Sequence, residues 1–478
     1  MPLLRHILAA RLRLTLSVLA LAMVLASCSL TNTPAPTAVP PTPAVPVAPT
    51  APVVRGTASI ALPTVVPGGI PGSPPGSFNL PPNLPIPTGD QVKVDSLLLD
   101  IAVIYQQQGR VLNSNNEVRL TLYLTDTNRE PVEAKIKELG GRVVASADNV
   151  IDLVVSLDAL AAAAQNNPVA QLASFTTVKE IKVTPMLKVQ SLIAPAKLTP
   201  EQWRAQLAAI VSEGVGVTGA DKWHAAGITG KGVKIGIIDA GFVGYEDLLG
   251  QELPATVTAR AFGSTNDITG GGEAHGTAVA EIVHAMAPDA ELILAQVEGP
   301  AGVAMATDFL MAQGVKIIQM SLGRGGETRG DGTGPWARPV DKARAAGVLF
   351  VVAAGNDGDA HYVGTFTDAD GDGWHDFAPG QPGLKVGVGS VLDVVLRWDA
   401  WEGAPVNLDL YIYSGDGTQV LASSRNVQGS SRAKDPVEQI GIPLRREFQG
   451  QTFLIGIKAV GQVPPIKVEI FTKNSELE

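Results

Sequence analysis

The chain has 478 residues, 45% of them hydrophobic and 17% charged, and its 36 Lys and Arg against 46 Asp and Glu leave a formal charge of -10. That length allows two or three domains, each with its own core, and the acidic balance argues against a nucleic-acid partner. Cys28 is the single cysteine, so an intrachain disulfide is excluded and the fold rests on packing and on any bound metal.

The first elements concern export. Arg5, Arg11 and Arg13 precede an apolar run from Leu14 to Ala26, which is short for a bilayer span. It closes on Leu25-Ala26-Ser27-Cys28, which resembles the bacterial lipobox. The resemblance implies a lipoprotein signal peptide over residues 1–28, acylation of Cys28, and a protein lipid-anchored to a membrane of the cell envelope. An ordinary signal peptide with an incidental cysteine, or an uncleaved anchor, is the alternative. Within residues 29–91, the stretch from Thr31 to Pro87 is dense in Pro, Ala, Thr and Val with almost no charge, so it reads as a disordered tether.

Residues 92–190 alternate between the two periodicities. Val118 to Leu124 has strand spacing, Pro131 to Leu139 has helical spacing ended by Gly140-Gly141, Val150 to Ser156 is a strand, Asp158 to Asn166 an Ala-rich helix, and Lys179 to Val183 a last strand. A small ferredoxin-like α+β domain is the simplest packing.

From Gly214 onward, strands and helices alternate, which predicts an α/β fold with a parallel sheet covered on both faces. The strands are Val233 to Ile238, Leu292 to Val297, Val315 to Leu322 and Val348 to Ala354; the helices start at His275, at Ala304 and near Val340. In open sheets of this kind ligands bind at the carboxyl ends of the strands. Three polar segments fall there or at a helix start: Ile237-Ile238-Asp239-Ala240-Gly241, Ala274-His275-Gly276-Thr277-Ala278-Val279-Ala280, and Val352-Ala353-Ala354-Gly355-Asn356.

Singly, these are a turn aspartate, a histidine at a helix start and a loop asparagine. In this order, with Ile318-Gln319-Met320-Ser321-Leu322-Gly323 between them, they resemble the subtilisin-like serine proteases, or subtilases, from about Thr218 to Asn356. The resemblance implies a subtilisin-like fold over residues 200–385 and hydrolysis of peptide bonds in a protein or peptide substrate, with no cofactor for catalysis. Asp239 would orient His275, His275 would serve as general base and then acid, and the Asn356 amide would donate to the oxyanion. Ser321, Leu322, Gly323 and Ala353, Ala354, Gly355 would flank the substrate backbone. It also implies that residues 92–190 are a propeptide-like domain, although an independent binding module has the same topology. His284, on the same helix as His275, reads as a surface or supporting residue. Ala240 departs from the Ser or Thr usual after the aspartate, which removes one hydrogen bond from the carboxylate's surroundings.

A further departure concerns the nucleophile. The family places it in Gly-Thr-Ser at the start of a long buried helix, and no such segment follows Asn356. The nearest lookalike, Gly429-Ser430-Ser431-Arg432-Ala433, carries Arg432, Lys434 and Asp435 into what would be a buried helix start, and the residues after Pro436 read as a strand. The expectation is a truncated, split or inactive endopeptidase; the alternative is a non-catalytic surface module that binds peptides or proteins.

The C-terminal part differs in kind. From 386 to 474, short alternating runs (Val394 to Trp398, Leu408 to Ser414, Gln439 to Ile442, Thr452 to Ala459, Ile466 to Phe471) predict a β-sandwich, either appended or inserted. Ahead of it, Asp368, Asp370, Asp372 and Asp376 have the spacing of half a calcium loop, with Pro379 where the loop's bidentate Glu belongs. Structural calcium and a solvated acidic turn both fit.

Overall fold

The computed structural model describes residues 93–98, 117–160, 167–184, 188–189, 213–269, 272–355, 360–401, 406–428, 435–444 and 448–477. Cys28, the tether, Asn356 and Ser431 lie outside them.

The leading domain runs β1 (Glu117–Leu124), α1 (Glu130–Glu138), β2 (Arg142–Ala147), β3 (Val150–Ser156), α2 (Leu157–Leu160), α3 (Pro168–Ala173) and β4 (Val178–Val183). The strands pair antiparallel in the order β2-β3-β1-β4, the ferredoxin-like arrangement. Leu120, Leu122 and Leu124 alternate inward along β1, and Val132 and Ile136, four apart on α1, close over the sheet. The Ala-rich helix expected from Asp158 to Asn166 is helical over Leu157–Leu160, with 161–166 outside the described residues. The separate α3 follows because Asn167 caps it, its Oδ1 accepting from Val169 N (2.9 Å) and Ala170 N (3.3 Å), with Pro168 in the first turn.

After β5 (Lys188–Val189), the central domain comprises α4 (Glu213–Thr218), α5 (Ala220–Ala225), β6 (Lys234–Asp239), β7 (Thr258–Phe262), α6 (His275–Met286), β8 (Glu291–Val297), α7 (Pro300–Ala312), β9 (Ile317–Met320), β10 (Leu322–Gly323), α8 (Ala337–Ala345) and β11 (Leu349–Val352). Its parallel sheet has the order β11-β9-β6-β8-β7. β6 is central and apolar on both faces: Ile238 faces the core that includes Leu310 of α7, and Ile237 faces the core that includes Ala280 of α6. Among the elements that differ from expectation, α7 starts at Pro300, four residues before Ala304. β7 was not legible because an edge strand reading Thr-Ala-Arg-Ala-Phe has one buried side chain, Phe262. The strand expected over Val315–Leu322 breaks at Ser321, because β10 leaves the sheet to pair antiparallel with β5.

The leading sheet rests on α7. Asp152 of β3 is buried, and its carboxylate accepts from Ala301 N (3.0 Å) and from Thr121 Oγ1 (2.8 Å), so an acid of the leading domain caps a helix of the central one. Burial pushes its carboxyl up to about 7, against the opposing hydrogen bonds from Thr121 and from the backbone of Ala301 and Gly302. The folded protein therefore keeps a proton, between the ordinary carboxylate range and about pH 7, that the unfolded chain has released. This contribution to stability is full at low pH and is lost as pH rises through about 7. Asp152→Asn, neutral throughout, is expected to flatten that slope. Urea midpoints at about pH 5 and about pH 8 test it; an equal pH dependence in the two proteins would refute it.

The C-terminal β-sandwich comprises β12 (His361–Thr365), β13 (Leu384–Trp398), β14 (Leu408–Tyr413), β15 (Val420–Ser424), β16 (Val437–Pro443), β17 (Thr452–Ala459) and β18 (Lys467–Leu477), all antiparallel. β13 pairs first with β17 and then with β16 along one edge, and with β18 along the other. Leu396, Trp398, Leu410, Ile455 and Ile470 lie in its core. β12, which precedes the expected start at 386, joins the same sheet through β18.

Candidate active site

Asp239 is the last residue of β6, fully buried, and His275 is the first of α6. His275 Nδ1 lies 2.9 Å from Asp239 Oδ2 and 3.0 Å from Oδ1. Asp239 Oδ1 also accepts from Ala240 N at 2.8 Å. Burial pushes the Asp239 carboxyl up, and the hydrogen bond and charge of His275 oppose that shift. With Nδ1 held by a buried carboxylate, the ring is oriented and proton transfer falls to Nε2.

The approach of α6 to β6 depends on Gly276. A Cβ there would sit 2.6 Å from Gly241 O, 2.7 Å from the Phe242 ring and 2.8 Å from Asp239 Cβ, so any side chain would push His275 away from its carboxylate. Gly276 N donates to Gly241 O and Thr277 Oγ1 to Val243 O, both at 3.0 Å, tying the turn after β6 to the start of α6. Gln296, which sequence reasoning missed, braces the turn after Asp239. Its Nε2 donates to Ala240 O at 3.1 Å from the end of β8. An amide in the otherwise apolar buried run Leu292 to Val297 was the available signal.

Ser321 and Ala353 follow the carboxyl ends of adjacent strands, since Val352 pairs with Met320 and Ala353 N donates to Met320 O at 3.2 Å. Neighbouring strands lie about 4.8 Å apart, so Asp239, Ser321 and Ala353 step across one end of the sheet. Leu322 and Gly323 already carry an extended partner: they pair antiparallel with Val189 and Lys188 of the chain's own β5. Asn356, expected as oxyanion donor, lies outside the described residues. His284, expected at the surface or in a supporting place, is partly buried on α6, and burial pushes its imidazole down.

Beside this edge, Arg324 was not anticipated. Its side chain is 1% exposed and pairs with Glu327 and with Asp393 of β13. Trp336 Nε1 donates to the other carboxylate oxygen of Glu327 at 3.1 Å. The same face of the sandwich meets the next turn: Gly326, at φ +84°, leaves no room for a Cβ against Phe471 (2.6 Å) and Val395 (2.9 Å).

The acidic loop gathers three of its four aspartates. Carboxylate oxygens of Asp368, Asp370 and Asp372 lie within 4.8 Å of one another. Asp368 Oδ1 and Asp372 Oδ2 are buried and make no hydrogen bond. Burial pushes the Asp372 carboxyl up, opposed by a hydrogen bond from Trp374 N and reinforced by the charge of Asp370. Asp376 does not join the trio, because its Oδ2 accepts from Ala369 N at 2.8 Å and closes the loop. Lys458 Nζ donates to the Asp372 carbonyl at 2.8 Å.

Residues 230–433 match the family model described as the Subtilase family. Subtilisin DY of Bacillus licheniformis is 32% identical over 164 residues, which cover 31% of this chain and 56% of that protein. Minor extracellular protease Epr of Bacillus subtilis (strain 168) is 27% identical over 222 residues, 41% of this chain and 32% of that protein. The chain thus spans about half of one relative and about a third of the other. Among solved structures, the CspB protease of Clostridium perfringens aligns at 13% identity and TM-score 0.34, covering 54% of this chain and 66% of that one. Residues 230–433, with their parallel sheet, are thus similar to a subtilisin-like domain. The match ends at residue 433, past Ser431, and β16, which begins at Val437, is a sandwich strand.

Proposed function

We propose, from a chain whose residues 230–433 are similar to the subtilases, that this protein is an exported, membrane-anchored member of the serine endopeptidase lineage, and that these 478 residues carry the base of its acyl-transfer site but not the nucleophile segment. The observation that carries this reading is the buried Asp239 carboxylate on His275 Nδ1 at the end of the central parallel strand. Asn356 supplies the oxyanion donor in this reading, and Ser321 to Gly323 with Ala353 to Gly355 hold the peptide backbone. These 478 residues hold no Gly-Thr-Ser after Asn356, and by themselves they would form no serine acyl-enzyme. A serine-directed fluorophosphonate probe tests it.

A second reading, a non-catalytic peptide-binding module, is favoured by the pairing of β5 on β10, because that edge accepts an extended chain by backbone hydrogen bonds alone. The same pairing supports a propeptide role for the leading domain, whose C-terminal continuation lies along the strand proposed for substrate.

Calcium at the acidic loop is part of the proposal, supported by the converging carboxylates and their two unpartnered buried oxygens. Millimolar calcium is expected to raise the melting temperature, by about 2–3 kcal/mol of stabilisation at a hundredfold excess over Kd. Asp370→Ala with Asp372→Ala should remove the effect, and calorimetric titration without heat at millimolar calcium would count against the site. Lipid anchoring at Cys28 is likewise proposed from the lipobox-like tetrapeptide; among the described residues, no helix is long and apolar enough to cross a membrane. An intact mass that lacks acyl chains would exclude the anchor.

A further inference from the structure

Residues 93–98 precede the leading domain and are shared between two cores. Val94 lies in the core of the leading domain, bridged to Ile181, and Asp95 N donates to Ile181 O at 2.8 Å. Lys93 Nζ closes on the carbonyls of Ala173 (2.8 Å) and Phe175 (2.9 Å). Leu97, three residues after Val94, belongs instead to the core of the sandwich and is 2% exposed. Ser96, just before Leu97, is held by the sandwich through its backbone and its side chain: Ser96 N donates to Asn426 Oδ1 at 3.1 Å, and Ser96 Oγ accepts from Arg425 N at 2.6 Å. Asn426 is fixed in turn by buried Glu438, which accepts from its backbone N and its Nδ2, both at 2.8 Å. Val183, at the end of β4, packs against both cores.

We infer that the sandwich is the receptor for residues 93–98, and that it clamps the leading domain to the rest of the protein so that the domain stays bound after the connection between them is cut. The described contacts of the leading domain with the central one include the two-residue pairing of β5 with β10, the Asp152 cap on α7, a small apolar cluster of Ala145 and Val150 with Ala301 and Met305, and the half-exposed Arg119–Glu298 ion pair. Such a surface pair contributes little. The clamp adds a buried apolar anchor and a buried polar link on a different body. Release then requires all the attachments to open together, and each broken one re-forms at the high effective concentration set by the others. The sandwich therefore has a partner within its own chain, whether or not the leading domain acts as a propeptide.

The test uses the full chain with the recognition sequence of a site-specific viral protease inserted between Pro200 and Glu201. After cutting, both fragments are expected to co-elute in size exclusion, even on dilution to nanomolar concentration. Leu97→Asp puts a carboxylate into the sandwich core, and the cut protein is expected to release its leading fragment. Should that variant fail to fold by near-UV circular dichroism, Ser96→Ala with Asn426→Ala removes the polar link, together with one hydrogen bond to Glu438, and should speed release about tenfold. Arg119→Ala, outside the clamp, should leave release within about twofold. Fragments of the unsubstituted protein that separate freely would overturn the inference. So would a folded Leu97→Asp protein, or the double variant, that retains its fragment as the unsubstituted protein does.

Discussion

A fluorophosphonate probe is expected to leave the purified 478-residue chain unlabelled, and peptide substrates to be cleaved no faster than background. The base is assembled, since Asp239 holds His275 Nδ1 at 2.9 Å in a buried setting. A base without a nucleophile forms no acyl-enzyme, and loss of the serine from an intact triad lowers turnover by about a millionfold. Supplying a segment with Gly-Thr-Ser and an apolar Ala-rich helix in the same chain is expected to create labelling. His275→Ala should then abolish it, because the serine loses its proton acceptor. Labelling of the chain as it stands, lost on Ser431→Ala, would show that the connection between β15 and β16 reaches the site and would overturn the proposal.

Arg324→Met is expected to destabilise the protein by about 3–5 kcal/mol. The guanidinium is buried between Glu327 and Asp393, both buried side chains themselves, so removing it takes away the charge that bridges the two carboxylates. Urea unfolding measures this. Asp393→Asn in the Arg324→Met background should recover part of the loss, because one of the stranded charges is then gone. A loss below about 1 kcal/mol for Arg324→Met would mean that water reaches the cluster and screens it. The pair also joins the turn after Gly323 to β13, so its loss should loosen the edge proposed for peptide. Weaker peptide binding by the folded variant would register that.

Much of the architecture was legible because it is local. The alternation of Leu120, Leu122 and Leu124, the i, i+4 pair Val132 and Ile136, and the apolar run into Asp239 each announce an element by the face it buries. Asp239 and His275 could be paired from sequence because their motifs, in that order, resemble those of the subtilases, and the end of a buried strand is where a parallel sheet gathers polar groups. Other features depend on partners far along the chain, and no window of residues contains them. Gln296 became part of the site only when β8 lay beside β6 and its amide met Ala240 O. Ser321 broke a predicted strand because β5, more than a hundred residues earlier, offered β10 a different hydrogen-bonding edge. Arg324 reads as a solvated surface charge until Asp393 of the sandwich closes over it. Leu97 looks like any apolar residue ahead of a domain, and only the tertiary structure assigns it to the core of another one. Periodicity fixes which face of an element is buried; which element covers that face is decided by the free energy of the assembled chain.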